Sequence, residues 1–108
     1  MILIRSLNQQ EKGNRMARYV SLIRFTDKGA SAIKKTTARA LAFRKSAEKE
    51  GITVEAQLWT AGSCDGVLIL SGDENKILRC LSQLVAQGNV RTETLRAFDA
   101  EELQDIVG

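Results

Sequence analysis

Apolar and polar residues follow two different periods along this chain. In residues 52–59 they alternate with the period of two that is typical of a β-strand, which puts Ile52, Val54, Ala56 and Leu58 on one face. Elsewhere, apolar residues recur at spacings of three and four, the period of a helix with one buried face. The pattern predicts strands at 19–25, 52–59, 67–70 and 90–98, and main helices at about 28–50 and 74–87.

Glycines and capping residues mark the ends of the predicted helices. Gly51 and Gly88 follow the two main helices, at the position where a left-handed residue commonly stops a helix. Asp99, with Glu102 three residues later, predicts the capping box of a short last helix that ends at Val107. The predicted buried stripe of the first helix consists of Ile33, Thr36, Ala40, Phe43 and Ala47.

The order of elements is β-α-β-β-α-β. With right-handed crossovers this order predicts an α+β, ferredoxin-like fold, in which one four-stranded antiparallel sheet carries both main helices on one face. The first and third strands, however, are largely apolar on both faces, as Val20 and Leu22 opposite Tyr19 and Ile23 illustrate. Several such side chains left in water would forfeit several kcal/mol at about 25 cal/mol per Å². We therefore expect a homo-oligomer that forms through the open sheet face.

The chain has 108 residues, enough for one domain. The polar, aperiodic segment 8–15 predicts a flexible N-terminal extension over residues 1–17 and a single domain over 18–108, so that either Met1 or Met16 is the native start. No apolar run approaches the ~20 residues that span a bilayer, and the first residues do not resemble a signal peptide. We expect a cytoplasmic protein that does not enter the membrane.

Composition limits the chemistry. The chain has no histidine, which excludes His-based general bases, Ser-His and Cys-His nucleophiles, and the commonest zinc ligand. Its two cysteines, Cys64 and Cys80, form no metal-binding pair, and Cys80 is expected to be a small core residue. No metal and no cofactor is expected. Segment 28–49 is basic, but the scarcity of aromatic residues makes a nucleic-acid partner an unfavoured interpretation.

The strand directions bring three polar, glycine-marked segments to one end of the sheet: 26–29, 62–65 and 88–91. Free backbone N–H groups at the start of the first helix would favour an anion there. The candidate ligand-binding residues are Asp27, Lys28, Gly62, Cys64, Asp65, Asn89 and Arg91. No catalytic residue is identified.

Structural roles compete with this interpretation. Thr26 or Asp27 can cap the first helix. Asp65 can bind turn backbone or pair with Arg91. Cys64 can be a buried apolar side chain or a thiol activated by a nearby cation.

Three motifs in these segments resemble the GYD domain family of bacterial proteins. They are Arg24-Phe25-Thr26-Asp27-Lys28-Gly29, Gly62-Ser63-Cys64-Asp65 and Gly88-Asn89-Val90-Arg91-Thr92-Glu93-Thr94-Leu95-Arg96-Ala97-Phe98. The resemblance covers about residues 18–107 and implies a ferredoxin-like fold of the dimeric α/β-barrel type, with no established activity. Gly62 and Asp65 match the element that names the family, whereas Cys64 stands where its tyrosine is expected.

Two functional hypotheses follow for this chain. The first is a homo-oligomeric module that binds or responds to a small ligand held between the sheet and the loops. The alternative is a cofactor-independent enzyme of the dimeric α/β-barrel type, such as a monooxygenase or an isomerase. The missing histidine and the substituted tyrosine favour the first hypothesis.

Overall fold

A computed structural model describes residues 16–108. The strands are β1 (Met16–Phe25), β2 (Thr53–Trp59), β3 (Gly66–Asp73) and β4 (Val90–Ala97). The helices are α1 (Asp27–Ser31), α2 (Thr36–Lys49), α3 (Glu74–Ala86) and α4 (Ala100–Val107), and a 3-10 turn at Ile33–Lys35 precedes α2. The predicted N-terminal extension lies outside the described residues apart from its last two, with which β1 begins.

The four strands form one antiparallel sheet in the order β2-β3-β1-β4. This confirms the predicted ferredoxin-like fold. The core lies between one face of the sheet and the two long helices, and consists of Ala47, Ile52, Val54, Leu68, Leu70, Ile77, Cys80 and Leu81. Cys80 is thus a core residue, as its position predicts. Within residues 16–108, the helices all fall short of the length and hydrophobicity that a membrane span requires.

The predicted first helix, 28–50, is wrong as a continuous element. The chain leaves the helical conformation at Ala32, whose φ and ψ are −113° and 35°, and a 3-10 turn then leads into α2. Two contacts accompany the break: the Ser31 hydroxyl donates to the Lys28 carbonyl at 2.9 Å, and the Arg39 guanidinium donates to the Ala32 carbonyl at 3.4 Å. Glycine and serine in this segment also favour helix poorly. The break leaves Ile33, predicted to be buried, 52% exposed.

The predicted alternation of β2 is wrong in its second half. A register shift between Val54 and Ala56 leaves Glu55 as an extra residue, a β-bulge. Because side chains alternate along a strand, the extra residue exchanges the faces of all that follow. Val54 is buried under the helices, but Leu58 is 59% exposed on the opposite face.

The sheet face without helices is apolar at its centre. Ser21 of β1 and Leu68 of β3 are buried and point towards the helices. The residues that alternate with them along each strand therefore point the other way. These residues, together with their neighbours on the outer strands, are Val20, Leu22, Leu58, Val67, Ile69 and Leu95, and we call them the open face. Charged residues surround it, among them Arg18, which pairs with Glu55 at 3.1 Å and with Glu102 of α4 at 3.2 Å.

Candidate ligand cavity

The β2–β3 hairpin packs against the end of β1. The Asp65 backbone N–H donates to the Ile23 carbonyl at 2.7 Å, and the Asp65 carboxylate accepts from the Phe25 N–H at 2.8 Å. The Arg24 guanidinium donates to the Ser63 carbonyl at 3.1 Å. A carboxylate that binds a backbone N–H of another strand fixes the hairpin against β1.

The loop between α3 and β4 packs against the start of α1. The Thr26 N–H donates to the Asn89 carbonyl at 3.1 Å, and the Thr26 hydroxyl donates to the Gly88 carbonyl at 2.7 Å. The Lys28 ammonium donates to the Gln87 carbonyl at 2.9 Å. A side chain at Gly29 would overlap the Asn89 carbonyl oxygen, so glycine permits this close approach. The three polar segments therefore meet at one end of the sheet.

The candidate residues nevertheless occupy different surroundings at this end. Thr26 caps α1 by accepting from the Gly29 N–H at 3.1 Å, and Asp27 is exposed in the first turn. Cys64 lies half-buried in the hairpin turn, where its carbonyl accepts from the Thr60 hydroxyl at 2.7 Å. Gly62 is exposed in the same turn, with a φ of 149°.

Arg91 points away from the helices. It is exposed and lies directly opposite Arg24 in the β1–β4 register, on the same side of the sheet as the open face. Arg24 pairs with Glu93 at 3.9 Å, whereas the Asp65 carboxylate binds backbone instead of Arg91. The structure thus separates Arg91 from Asp65 and Asn89, the two candidates that line a common cavity.

This cavity, of about 80 Å³, lies between the helix-bearing face of the sheet and α2. Its apolar walls include Ile23, Phe25, Phe43, Trp59, Leu68 and Leu84. Three of the five aromatic side chains of the chain are among them. Trp59 is 47% exposed and forms part of the cavity's edge at the end of β2. The space has the mixture of apolar walls and few polar groups that small-molecule sites share.

The β-bulge of β2 determines two of the lining residues. Because the faces are exchanged after Glu55, Gln57 and Trp59 point towards α2. The Gln57 amide donates to the Ala40 carbonyl at 2.9 Å, and the Trp59 indole N–H donates to the Thr36 hydroxyl at 3.1 Å. These bonds join the end of β2 to the first turns of α2 and hold that wall of the cavity.

Three polar side chains contribute most to the electrostatics of the cavity. Asn89 is only 9% exposed, and its buried side-chain oxygen has no hydrogen-bond partner among the described residues. Asp65 also lines the cavity, on its sheet side, and its carboxylate accepts from the Phe25 N–H at the end of β1. On the helix side, Arg39 has no carboxylate within 4.0 Å in residues 16–108, and its one described hydrogen bond is to the Ala32 carbonyl.

Of these lining residues, Asp65 and Asn89 are among the candidates that the sequence predicts, whereas Arg39 and Gln57 are not. Arg39 appeared as one of many charges on a basic helix, and nothing in the local sequence distinguished it. Gln57 had been predicted to face away from the apolar side of β2. For Trp59 the sequence favours a subunit contact over a place in a ligand cavity, and the structure puts the residue in the cavity lining.

Outside the cavity, burial raises the pKa of two titratable groups. Burial raises the pKa of the Cys80 thiol above 9.0, so this thiol stays protonated near neutral pH. Burial and the hydrogen bond to Glu74, at 2.8 Å, raise the pKa of Tyr19 above 10.0. Neither group lines the cavity, and both are held in their neutral forms.

The sequence matches the family described as GYD domain over residues 19–107. The match extends from β1 into α4 and includes every residue that lines the cavity. A comparison with curated proteins found no significant match, and neither did a comparison with solved structures.

Proposed function

The chain belongs to the GYD domain family, and from this premise we propose that it is a homo-oligomeric module that binds a small molecule in the cavity beside Asn89. The observation that carries the proposal is the buried, unpartnered side-chain oxygen of Asn89. A buried polar group without a partner costs about 1–3 kcal/mol, and native structures contain few of them. A ligand that donates a hydrogen bond to Asn89 would remove that cost.

The walls of the cavity support the same function. Phe25, Phe43 and Trp59 line the same cavity as Asn89 and offer flat apolar surface. Water held there would contact mostly carbon, so its displacement by an apolar ligand group is favourable. The ligand would thus gain binding free energy from apolar burial in one part of the cavity and from hydrogen bonding in another.

The open face supports the oligomeric part of the proposal. Its central side chains, such as Leu22 and Ile69, are only half-buried within one protomer, and Leu58 and Leu95 are 59% and 45% exposed. An apolar surface of this extent on a small domain marks an interaction site. A second copy packed face to face would bury these residues, and each subunit would contribute the same surface to the interface.

Strand β2 offers a physical link between ligand and oligomer. Trp59 and its neighbour Leu58 both line the cavity, and the side chain of Leu58 points to the open face. A ligand that shifts Trp59 would also shift Leu58, because adjacent residues of a strand move together. In this way occupancy of the cavity would bias the association of subunits, which is how a small module acts as a regulator.

The ligand-binding part is tested by NMR on the full chain. Trp59 is the sole tryptophan, so its indole N–H gives a single, unambiguous signal. We expect phenol, benzoate or 4-hydroxybenzoate, added to a few millimolar, to shift that signal in a saturable manner. If none of the three moves it, the proposal of a small-ligand cavity fails. A shift that is strictly linear in concentration would count against it equally.

A further inference from the structure

The polar groups of the cavity differ in kind between its two sides. On the sheet side, the lining residues include Asn89, whose buried side-chain oxygen has no partner among the described residues, and Asp65, which carries a carboxylate. On the helix side, they include Arg39, whose guanidinium only donates and is always charged. A ligand that satisfies both sides must therefore carry a donor at one end and an anion at the other.

We infer that the cavity is specific for a compact, single-ring carboxylate whose far end bears a hydroxyl or amino group. This inference rests on the proposed function and adds the chemical class of the ligand. The carboxylate binds Arg39, for which a planar, two-oxygen anion is the best geometric match. The hydroxyl or amino group donates to the unpartnered oxygen of Asn89.

The volume of the cavity sets the size of the ligand. A water molecule needs at least about 10–15 Å³ of cavity volume, so a cavity of about 80 Å³ has room for more than water but not for an extended ligand. A single ring with one or two small substituents is the size of ligand that we expect. Two fused rings would not fit without movement of α2 or the hairpin.

Aromatic walls favour a flat ring over a branched chain. Phe25, Phe43 and Trp59 come from three different elements, so a ring between them would meet aromatic surface from several directions. Offset and edge-to-face contacts add to the gain from simple burial. A saturated ring of the same size would bury similar area without this addition.

The Asp65 carboxylate helps to orient the ligand. It belongs to the sheet layer and already accepts from the Phe25 N–H at 2.8 Å. A ligand carboxylate at that end would meet a like charge, whereas a hydroxyl or amino group would meet a further acceptor. Asp65 therefore disfavours the reversed orientation, in which the ligand anion lies beside Asn89.

The test is isothermal titration calorimetry of the full chain with 4-hydroxybenzoate, benzoate and phenol. We expect 4-hydroxybenzoate to bind with a Kd at or below about 1 mM. Benzoate, which lacks the donor, should bind roughly threefold to tenfold more weakly, the effect of one neutral hydrogen bond. Phenol, which lacks the anion, should be weaker by about tenfold or more.

Two variants locate these effects. Arg39→Gln should weaken the binding of both acids by about tenfold or more and leave the binding of phenol unchanged. Lys45→Gln removes an equal charge from the exposed side of α2 and should leave the affinity for all three compounds unchanged. Asn89→Leu should abolish the difference between 4-hydroxybenzoate and benzoate. Circular dichroism of each variant checks that the fold is retained.

The outcomes separate the ligand class from the proposed function. If phenol binds as tightly as the acids, or if Arg39→Gln leaves the acids unaffected, the carboxylate class is overturned while a small-ligand cavity remains. If the two acids bind equally well, the role of Asn89 as acceptor is overturned. If no compound binds and the Trp59 signal also stays fixed, the proposed function fails together with this inference.

Discussion

Asn89 combines a structural role with the buried polar group on which the proposed function rests. Its backbone carbonyl accepts from Thr26 and lies against Gly29, which ties the start of β4 to α1. Its side-chain oxygen, by contrast, is buried without a partner among the described residues. A residue chosen only for stability would not bury an amide in this way, because an apolar side chain of similar shape avoids the cost.

Replacement of Asn89 by leucine should therefore stabilise the ligand-free protein. Leucine is similar in size, and the adjacent cavity leaves room for its branched end. We expect the free energy of unfolding to rise by about 1–3 kcal/mol, the cost of the unsatisfied group. Urea denaturation of wild type and variant measures the change.

A matched asparagine provides the control for this substitution. Asn75 is exposed in the first turn of α3, so Asn75→Leu should change the stability by no more than about 0.5 kcal/mol. A loss of stability in Asn89→Leu, with Asn75→Leu neutral, would show that the buried amide is satisfied in solution.

The two thiols should differ in reactivity and in their effect on pH dependence. Cys80 is 5% exposed and its pKa is raised by burial, whereas Cys64 is half-buried in the hairpin turn. With Ellman's reagent at pH 8 we expect Cys64 to react first in the folded protein and both thiols to react in urea. Prompt reaction of both in the folded state would contradict the burial of Cys80.

The raised pKa also has a consequence for stability. Above pH 9.0 the unfolded chain releases the Cys80 proton before the folded chain does, so the contribution of this group is complete below 9.0 and declines as the pH rises. Because Tyr19 shifts in the same direction from 10.0, the two must be separated. The difference in stability between wild type and Cys80→Ala, followed from pH 8 to 10, isolates the thiol.

At the scale of elements, the sequence predicts correctly those helices and strands that the chemistry of neighbouring residues determines. The four strands, α3 and the capping box of α4 follow from hydrophobic period and capping residues, and the structure contains them all. In the capping box the Asp99 carboxylate accepts from the Glu102 N–H at 2.8 Å, and the Glu102 carboxylate accepts from the Asp99 N–H at 2.9 Å. Such motifs involve four consecutive residues and need no tertiary information.

Two elements depended on tertiary contacts and were predicted incorrectly. The break at Ala32 allows α1 to pack against Asn89 and α2 to lie over β2, which no local pattern shows. The bulge at Glu55 interrupts the alternation of side-chain direction along β2. The alternation of apolar and polar residues in this segment is nevertheless the strongest strand signal in the sequence.

Both errors concerned the cavity. The break sets where Arg39 lies, and the bulge turns Gln57 and Trp59 towards α2, so these three lining residues could not be deduced from local patterns. Asp65 and Asn89 could be deduced, because strand direction alone brings their segments to the same end of the sheet. The sequence thus predicts two polar residues of the cavity lining but not the others.

At the scale of the whole molecule, the two faces of the sheet differ in what covers them. One face and the long helices form the core and the cavity, and the other is the apolar open face. Strand β3 contributes to both, since Leu68 is 3% exposed beneath the helices and the next residue, Ile69, points to the open face. Substitutions at these two adjacent residues therefore test folding and the proposed self-association separately.

We expect Ile69→Glu and Leu68→Glu to have opposite consequences. Leu68→Glu buries a carboxylate in the core, so the chain should fail to fold or lose several kcal/mol of stability. Ile69→Glu should leave the fold intact but abolish self-association, because a twofold interface brings the substituted residue of both copies into one contact. Light scattering after gel filtration gives the mass of each species, and urea denaturation gives its stability.

A wild-type protein that is a folded monomer at micromolar concentration would refute self-association. An Ile69→Glu protein that stays oligomeric would show that the subunits associate through a different surface.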